Sequence, residues 1–243
     1  MIKVAYDAGH GFNTSGKRTP DGEREWTFND IVARSFAKEL EKYNGITLKR
    51  FDDTSGKTDV SLNARTNGAN SWGAHYFFSF HHNALAGKWG THTGVETFVY
   101  TGHKSKTAGK IAAAVHPAVV KAYGLRDRGI KEGNLHIVRE TKMPAVLIEG
   151  GFMDSTIDIK KLRDKAVLEN AGKMIGEAFA KFAGLKKKET PTEIDQPKPT
   201  VSEFAKEAHE WVVKQGISDG SRPNDNVTRE EVWTMLHRLA NKK

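Results

Sequence analysis

Ile2-Lys3-Val4-Ala5-Tyr6-Asp7-Ala8-Gly9-His10-Gly11 reads as an apolar strand that stops on a glycine-flanked histidine. Gly9 and Gly11 carry no Cβ, so backbone and ligand can come close to the imidazole. Taken alone, the stretch leaves His10 three roles: metal ligand, catalytic base or turn residue. The segment after the strand decides the fold. Phe28, Ile31, Val32, Phe36 and Leu40 recur at helical spacing and predict a helix from near Glu25 to about Tyr43. Glu23 and Glu25 both stand at its start, where the helix dipole favours a carboxylate.

The alternation continues along the chain. Strands are expected at 2–7, 46–51, 75–81, 94–100, 134–139 and 144–149, and helices at 25–43, 60–72, 104–122 and 165–183. Alternation of this kind predicts an α/β domain whose mostly parallel sheet is covered by helices on both faces.

Two later strands also end on reactive groups. The aromatic run from Tyr76 to Phe80 suits a strand buried on both faces, and it leads into Ser79-Phe80-His81-His82-Asn83. Side chains alternate along a strand, so Ser79, His81 and Asn83 share one side and His82 takes the other. Two adjacent histidines past a buried strand point to a ligand or catalytic duty for at least one. Ala145-Val146-Leu147-Ile148 runs into Glu149, then Gly150-Gly151. A carboxyl at the end of a buried strand is poorly solvated, and its pKa rises unless a cation stands by. In open α/β sheets ligands bind beyond the carboxyl ends of the strands. Two histidines and a glutamate with an open position form a catalytic zinc set, and a further carboxylate can then act as base. The chain has no cysteine, which excludes a Cys-rich structural zinc site. This constellation points to metal-assisted hydrolysis.

Seven segments, in order, resemble the zinc-dependent N-acetylmuramoyl-L-alanine amidases, the catalytic domains of many bacterial autolysins and phage endolysins. They are Asp7–Gly11, Glu25-x-x-x-Asn29, Leu62-x-x-Arg65-x-x-x-Ala69-Asn70, Ser79–Ala84, Gly94–Thr97, Arg128–Lys131 and Pro144–Phe152, within residues 2 to about 183. The resemblance implies one zinc ion held by His10, Glu25 and His81, with Glu149 as the catalytic carboxylate. It selects Glu25 over Glu23 because Asn29 follows at the family's interval, and His81 over His82 because the ligand stands two residues after Ser79. It implies cleavage of the amide between N-acetylmuramic acid and the L-alanine of the peptidoglycan stem peptide. A bacterial mother-cell autolysin, or a zinc peptidase or deacetylase on the same scaffold, are the alternatives to an endolysin. Arg65 and Asn70 read as scaffold without a chemical role.

Composition sets the wider frame. The chain is 37% hydrophobic, and no apolar run approaches the length that spans a membrane, so no membrane insertion is expected. Met1–Asp7 enters a strand directly and lacks the regions of a signal peptide. Synthesis in the host cytoplasm, with action on the wall after release through a holin or lysis, is therefore the expectation. Residues 185–200 carry three prolines and no apolar periodicity, which marks a linker between a catalytic domain, 1–184, and a small module, 201–243.

That module reads as helix–turn–helix, with Thr228 and Glu231 as a capping box for the second helix. Trp211…Gly216-Ile217-Ser218-Asp219-Gly220…Pro223…Thr228-Arg229-Glu230-Glu231…Met235-Leu236 loosely resembles one S-layer-homology-type repeat, which implies binding to wall polysaccharide. Charge argues against DNA binding by this helical pair, and no nucleic-acid partner is expected. The tail holds seven Lys/Arg and seven Asp/Glu, so the whole formal excess of +8 lies before it. A basic catalytic domain is drawn to the anionic polymers of a Gram-positive wall.

Overall fold

The computed structural model of this 243-residue chain describes residues 1–188, 201–221 and 223–241. The chain divides into two compact units, Met1–Lys188 and Glu189–Lys243.

In the first unit the order is β1 (Ile2–Ala8), α1 (Glu25–Leu40), β2 (Ile46–Arg50), α2 (Leu62–Trp72), β3 (Tyr76–Asn83) and β4 (Val95–Tyr100). Then follow α3 (Thr107–Tyr123), β5 (Asp127–Gly133), α4 (His136–Glu140), β6 (Ala145–Phe152), α5 (Ile159–Leu162) and α6 (Lys165–Phe182). The six strands form one sheet in the order β2-β1-β3-β6-β4-β5. Every neighbouring pair is parallel except β4 with β6, so the sheet is mixed but mostly parallel, as the alternation predicts.

Strand alternation sorts the core into two layers. Val4, Phe78, Phe80, Val146 and Ile148 face α1, α3 and α6, packing on Val32, Phe36, Ile111, Val115, Ile175 and Phe179. Ala5, Phe77 and Leu147 face the other way, onto Ala69 of α2 and Ile137 and Val138 of α4. α1 and α6 approach so closely that a Cβ on Gly172 would lie 2.3 Å from the carbonyl oxygen of Val32. Any side chain there would force the two helices apart.

One expected strand is corrected. Residues 134–139 are not a strand; the fifth strand is Asp127–Gly133, and His136–Glu140 is a short helix. β5 is polar because it lies at the sheet edge and, among the described residues, pairs with β4 alone. The apolar run Leu135–Val138 looks like a strand, yet a single helical turn buries Ile137 and Val138 equally well. Periodicity over four residues does not separate the two cases.

The backbone after α6 stays with this unit. The N–H of Asn44 donates to the carbonyl of Lys186 at 2.9 Å, and that of Lys188 to Lys42 at 2.7 Å. Leu185 packs against the core. Residues 189–200 of the expected linker lie outside the described residues.

The second unit contains a short 3-10 turn (Glu203–Ala205), α7 (Lys206–Lys214) and α8 (Arg229–Ala240). Its capping box is formed: the Thr228 hydroxyl accepts from the Glu231 N–H, and the Glu231 carboxylate accepts from the Thr228 N–H. Among the described residues no helix is long and apolar enough to cross a membrane.

Candidate active site

The site grows from the carboxyl ends of β1, β3 and β6. Past β1 the chain turns sharply, and the Gly9 N–H donates to the carbonyl of Phe80 at 2.9 Å. His10 then takes φ +65°, the sole non-glycine residue with positive φ among the described residues. A left-handed conformation at a bulky residue costs about 1–2 kcal/mol and needs surrounding structure to hold it.

Arg65 supplies that hold. From α2 its guanidinium reaches the carbonyls of Ala8 (2.7 Å) and His10 (3.0 Å), the carboxylate of Asp7 (2.9 Å) and the carbonyl of Val60 (2.8 Å). Asp7 in turn accepts from the Ser79 hydroxyl at 2.6 Å, tying β1 to β3. Arg65 is scaffold, as expected, and its specific role is to clamp the turn that presents His10. Arg65 and Asp7 are each 1% exposed, so removing the cation leaves a buried carboxylate unpaired. Arg65→Met is expected to lower the unfolding free energy by about 3–5 kcal/mol, read from urea denaturation. A loss below about 1 kcal/mol, the worth of a surface ion pair, would show that the clamp is dispensable.

Opposite His10, α1 begins at Glu25, whose carboxylate is buried. One oxygen accepts from His81 Nδ1 at 3.1 Å and from the His82 N–H at 3.2 Å, while the other lies 3.4 Å from His10 Nε2. The rings of His10 and His81 meet edge to face with centroids 4.9 Å apart. One ligand atom from each of His10, Glu25 and His81 falls within 4.8 Å of the others. Gly9 makes this possible, because a Cβ there would lie 2.0 Å from His81 Cε1.

The ambiguities of the sequence are resolved by direction. Glu23 faces away and pairs with Arg163 at 2.6 Å. His82 turns to the other side of β3, where its Nδ1 meets Asn29 Oδ1 at 2.7 Å and its Nε2 meets the Tyr123 hydroxyl at 3.0 Å. Asn29 also donates to the carbonyl of Gly9 (3.0 Å) and to Glu25 (3.3 Å), so this buried chain braces the carboxylate from behind. Asn29 is visible in the sequence as a motif position. Tyr123, at the end of an amphipathic helix 41 residues from His82, looks like ordinary core and gives no signal.

Glu149 stands in register with His81 across β3 and β6, and so on the same face of the sheet. Its Oε2 is buried without a hydrogen-bond partner among the described residues.

Charge follows burial. Burial holds the imidazole of His10 down at about 4 and that of His82 at about 3. Burial also opposes ionisation of Glu25, but His81, by hydrogen bond and charge, outweighs it and keeps the carboxyl below its usual range. Burial pushes Glu149 the opposite way, above the usual carboxylate range; His81 opposes that shift and Glu25 adds to it. Two carboxyls in one cleft are thereby driven apart, the pattern that separates a charged ligand from a proton-carrying group. Two imidazoles and a carboxylate in this arrangement are a fitting donor set for a divalent metal such as zinc.

A profile of the N-acetylmuramoyl-L-alanine amidases matches residues 4–181. This chain belongs to the N-acetylmuramoyl-L-alanine amidase family. Among amidases named in relatives, it is 37% identical to CwlM of Bacillus licheniformis over 190 residues, 77% of this chain and 71% of that protein. It is 35% identical to the sporulation-specific amidase of Bacillus subtilis, covering 77% of this chain and 70% of that one. An endolysin of Bacillus phage SPP1 is 33% identical, over 81% of this chain and 73% of the phage protein. Among solved amidase structures, the catalytic domain of CwlV from Paenibacillus polymyxa superposes with a TM-score of 0.69 at 29% identity, covering 76% of this chain and all of that domain.

Proposed function

We propose that this amidase hydrolyses peptidoglycan at the amide joining N-acetylmuramic acid to the L-alanine of the stem peptide, with zinc held by His10, Glu25 and His81 and with Glu149 as general base and then acid. The observation that carries the reading is the convergence of three ligand atoms within 4.8 Å beside a buried, unpartnered Glu149, in a chain of this family. Zinc in such a set supplies Lewis-acid polarisation of the amide carbonyl and makes a water acidic enough to attack.

The protein's own residues do the rest. His10 and His81 are ligands in their neutral form, which burial favours at His10. Glu25 brings the negative charge, oriented by the His82 N–H and the Asn29 amide. Glu149 takes the proton of the attacking water and returns it to the leaving alanine amine. Its raised pKa suits both steps, because a carboxyl near the working pH gives up a proton as readily as it takes one.

Likeness to a phage endolysin supports an enzyme made in a host cytoplasm that meets the wall after the membrane is breached; likeness to a sporulation-specific amidase supports a mother-cell autolysin as the alternative. For residues 201–243 we adopt wall-polysaccharide binding, supported by a polar groove of about 790 Å³ lined by Ser218, Asp219, Asn226, Thr228 and Arg238.

Mass spectrometry of the soluble products from Gram-positive peptidoglycan and zinc-loaded protein tests the activity. Stem peptides with a free N-terminal alanine, and glycan stripped of peptide, are expected. New ends within the peptides would make the protein a peptidase, and binding without release would leave only an anchoring role.

A further inference from the structure

Two motifs, Gly94–Thr97 and Arg128–Lys131, have no part in the chemistry above, yet the fold joins them beside it. Glu96 of β4 stands in register with Glu149 of β6. Its carboxylate is buried and receives Asn83 Nδ2 at 2.8 Å, Arg128 Nε at 2.8 Å and the Lys131 ammonium. Neutralising one buried carboxylate requires one cation, and here there are two. The surplus charge is held in place: Arg128 Cζ lies 4.9 Å from the ring centre of Phe152, and its stem fills the space where Gly94 lacks a Cβ. Its two terminal nitrogens make no hydrogen bond among the described residues, while 30% of the Arg128 side chain and 37% of that of Lys131 remain open to solvent.

The distance to the site also fits. Neighbouring strands lie about 4.8 Å apart, so β5 is about 10 Å from Glu149 across β4. The cationic groups of Arg128 and Lys131 reach back from β5 to Glu96 on β4, which shortens that gap to the span of about two extended residues. A guanidinium with free, fixed donors matches the fork of a carboxylate better than any other side chain does.

We propose that Arg128 and Lys131, clamped by Glu96, form a subsite for a carboxylate on the peptide side of the scissile amide, on the residue that follows the alanine. The proposal rests on the amidase reading for the direction in which the substrate lies. The peptide enters over β4 and β5, and the cation pair fixes the alanine amide against His81 and Glu149. Stems whose carboxylate is masked as an amide are then the poorer substrates.

The test uses two peptides that differ by one group, L-alanyl-D-glutamate and L-alanyl-D-isoglutamine, titrated by calorimetry into the zinc-loaded full chain. The acid is expected to bind about tenfold tighter than the amide, the effect of one partly exposed charge-assisted contact. Arg128→Gln and Lys131→Gln should each remove most of that preference, and Arg128→Lys should keep part of it. Equal binding of the two peptides by the unaltered protein, no binding of either, or an equal loss for both in the variants would overturn the proposal. Zinc content and circular dichroism are read for each variant, and if Arg128→Gln does not fold, the more exposed Lys131→Gln decides. Products from peptidoglycan are followed separately. Binding preference without hydrolysis would count against the activity and not against the subsite.

Discussion

Glu149→Gln is expected to lower peptidoglycan hydrolysis by about 10²–10⁴-fold, the usual worth of a general acid–base group. Zinc content should stay at the unaltered level, because the three residues proposed to hold it, which cluster within 4.8 Å of one another, do not include Glu149. The substitution is nearly isosteric. It breaks no hydrogen bond at Oε2, which has none among the described residues. It also removes a carboxyl whose ionisation burial opposes. The folded state should therefore tolerate the change, and lost turnover reports on chemistry alone. Turnover assays and metal analysis on the same preparation give the answer. Near-normal activity would remove Glu149 from the mechanism, while loss of zinc together with activity would make it a ligand.

The second large effect separates adjacent histidines. His81→Ala should strip the zinc and abolish hydrolysis, since it removes one of the three side chains proposed to hold the metal. His82→Ala should act mainly on stability. His82 is 2% exposed, and its removal leaves the Asn29 carbonyl and the Tyr123 hydroxyl without their partner beside a new cavity. Unsatisfied buried groups and a cavity of that size together cost about 2–5 kcal/mol. Metal affinity should weaken by no more than about 10–100-fold, the range for a group that braces a ligand from behind. Metal analysis with denaturation curves for both variants distinguishes the cases. Zinc lost from His82→Ala and kept by His81→Ala would place the ligand on the wrong side of the strand.

The two histidines also show where sequence reading stops. Alternation on β3 says that His81 and His82 face opposite ways, because direction along a strand is a property of consecutive residues. It does not say which side is the cleft. α1 and α3 answer that by covering the His82 side with Asn29 and Tyr123. By position at the helix start Glu23 and Glu25 are equal, and the fold separates them by turning one inward and leaving the other on Arg163. β5 escapes notice because an edge strand paired on one side needs no apolar pattern. The run at 135–138 misleads because a helical turn and a short strand bury Ile137 and Val138 alike. Arg65 sits 55 residues from His10, and nothing local to either announces that one holds the other's backbone.

Element types outside residues 127–140, the capping box of α8, the strand-end positions of His10, His81 and Glu149, and the zero net charge of the tail were all decided by residues close together in the chain. They come from local periodicity, capping and composition, whose physics acts over a few residues. The family's Glu25-x-x-x-Asn29 interval singled out Glu25, and tertiary structure alone decided that Arg65 clamps His10 and that Arg128 and Lys131 gather on Glu96 beside Glu149. Those meetings depend on strand order and register. Both are set when remote strands and helices bury their apolar faces against one another, a choice that no short stretch of sequence makes.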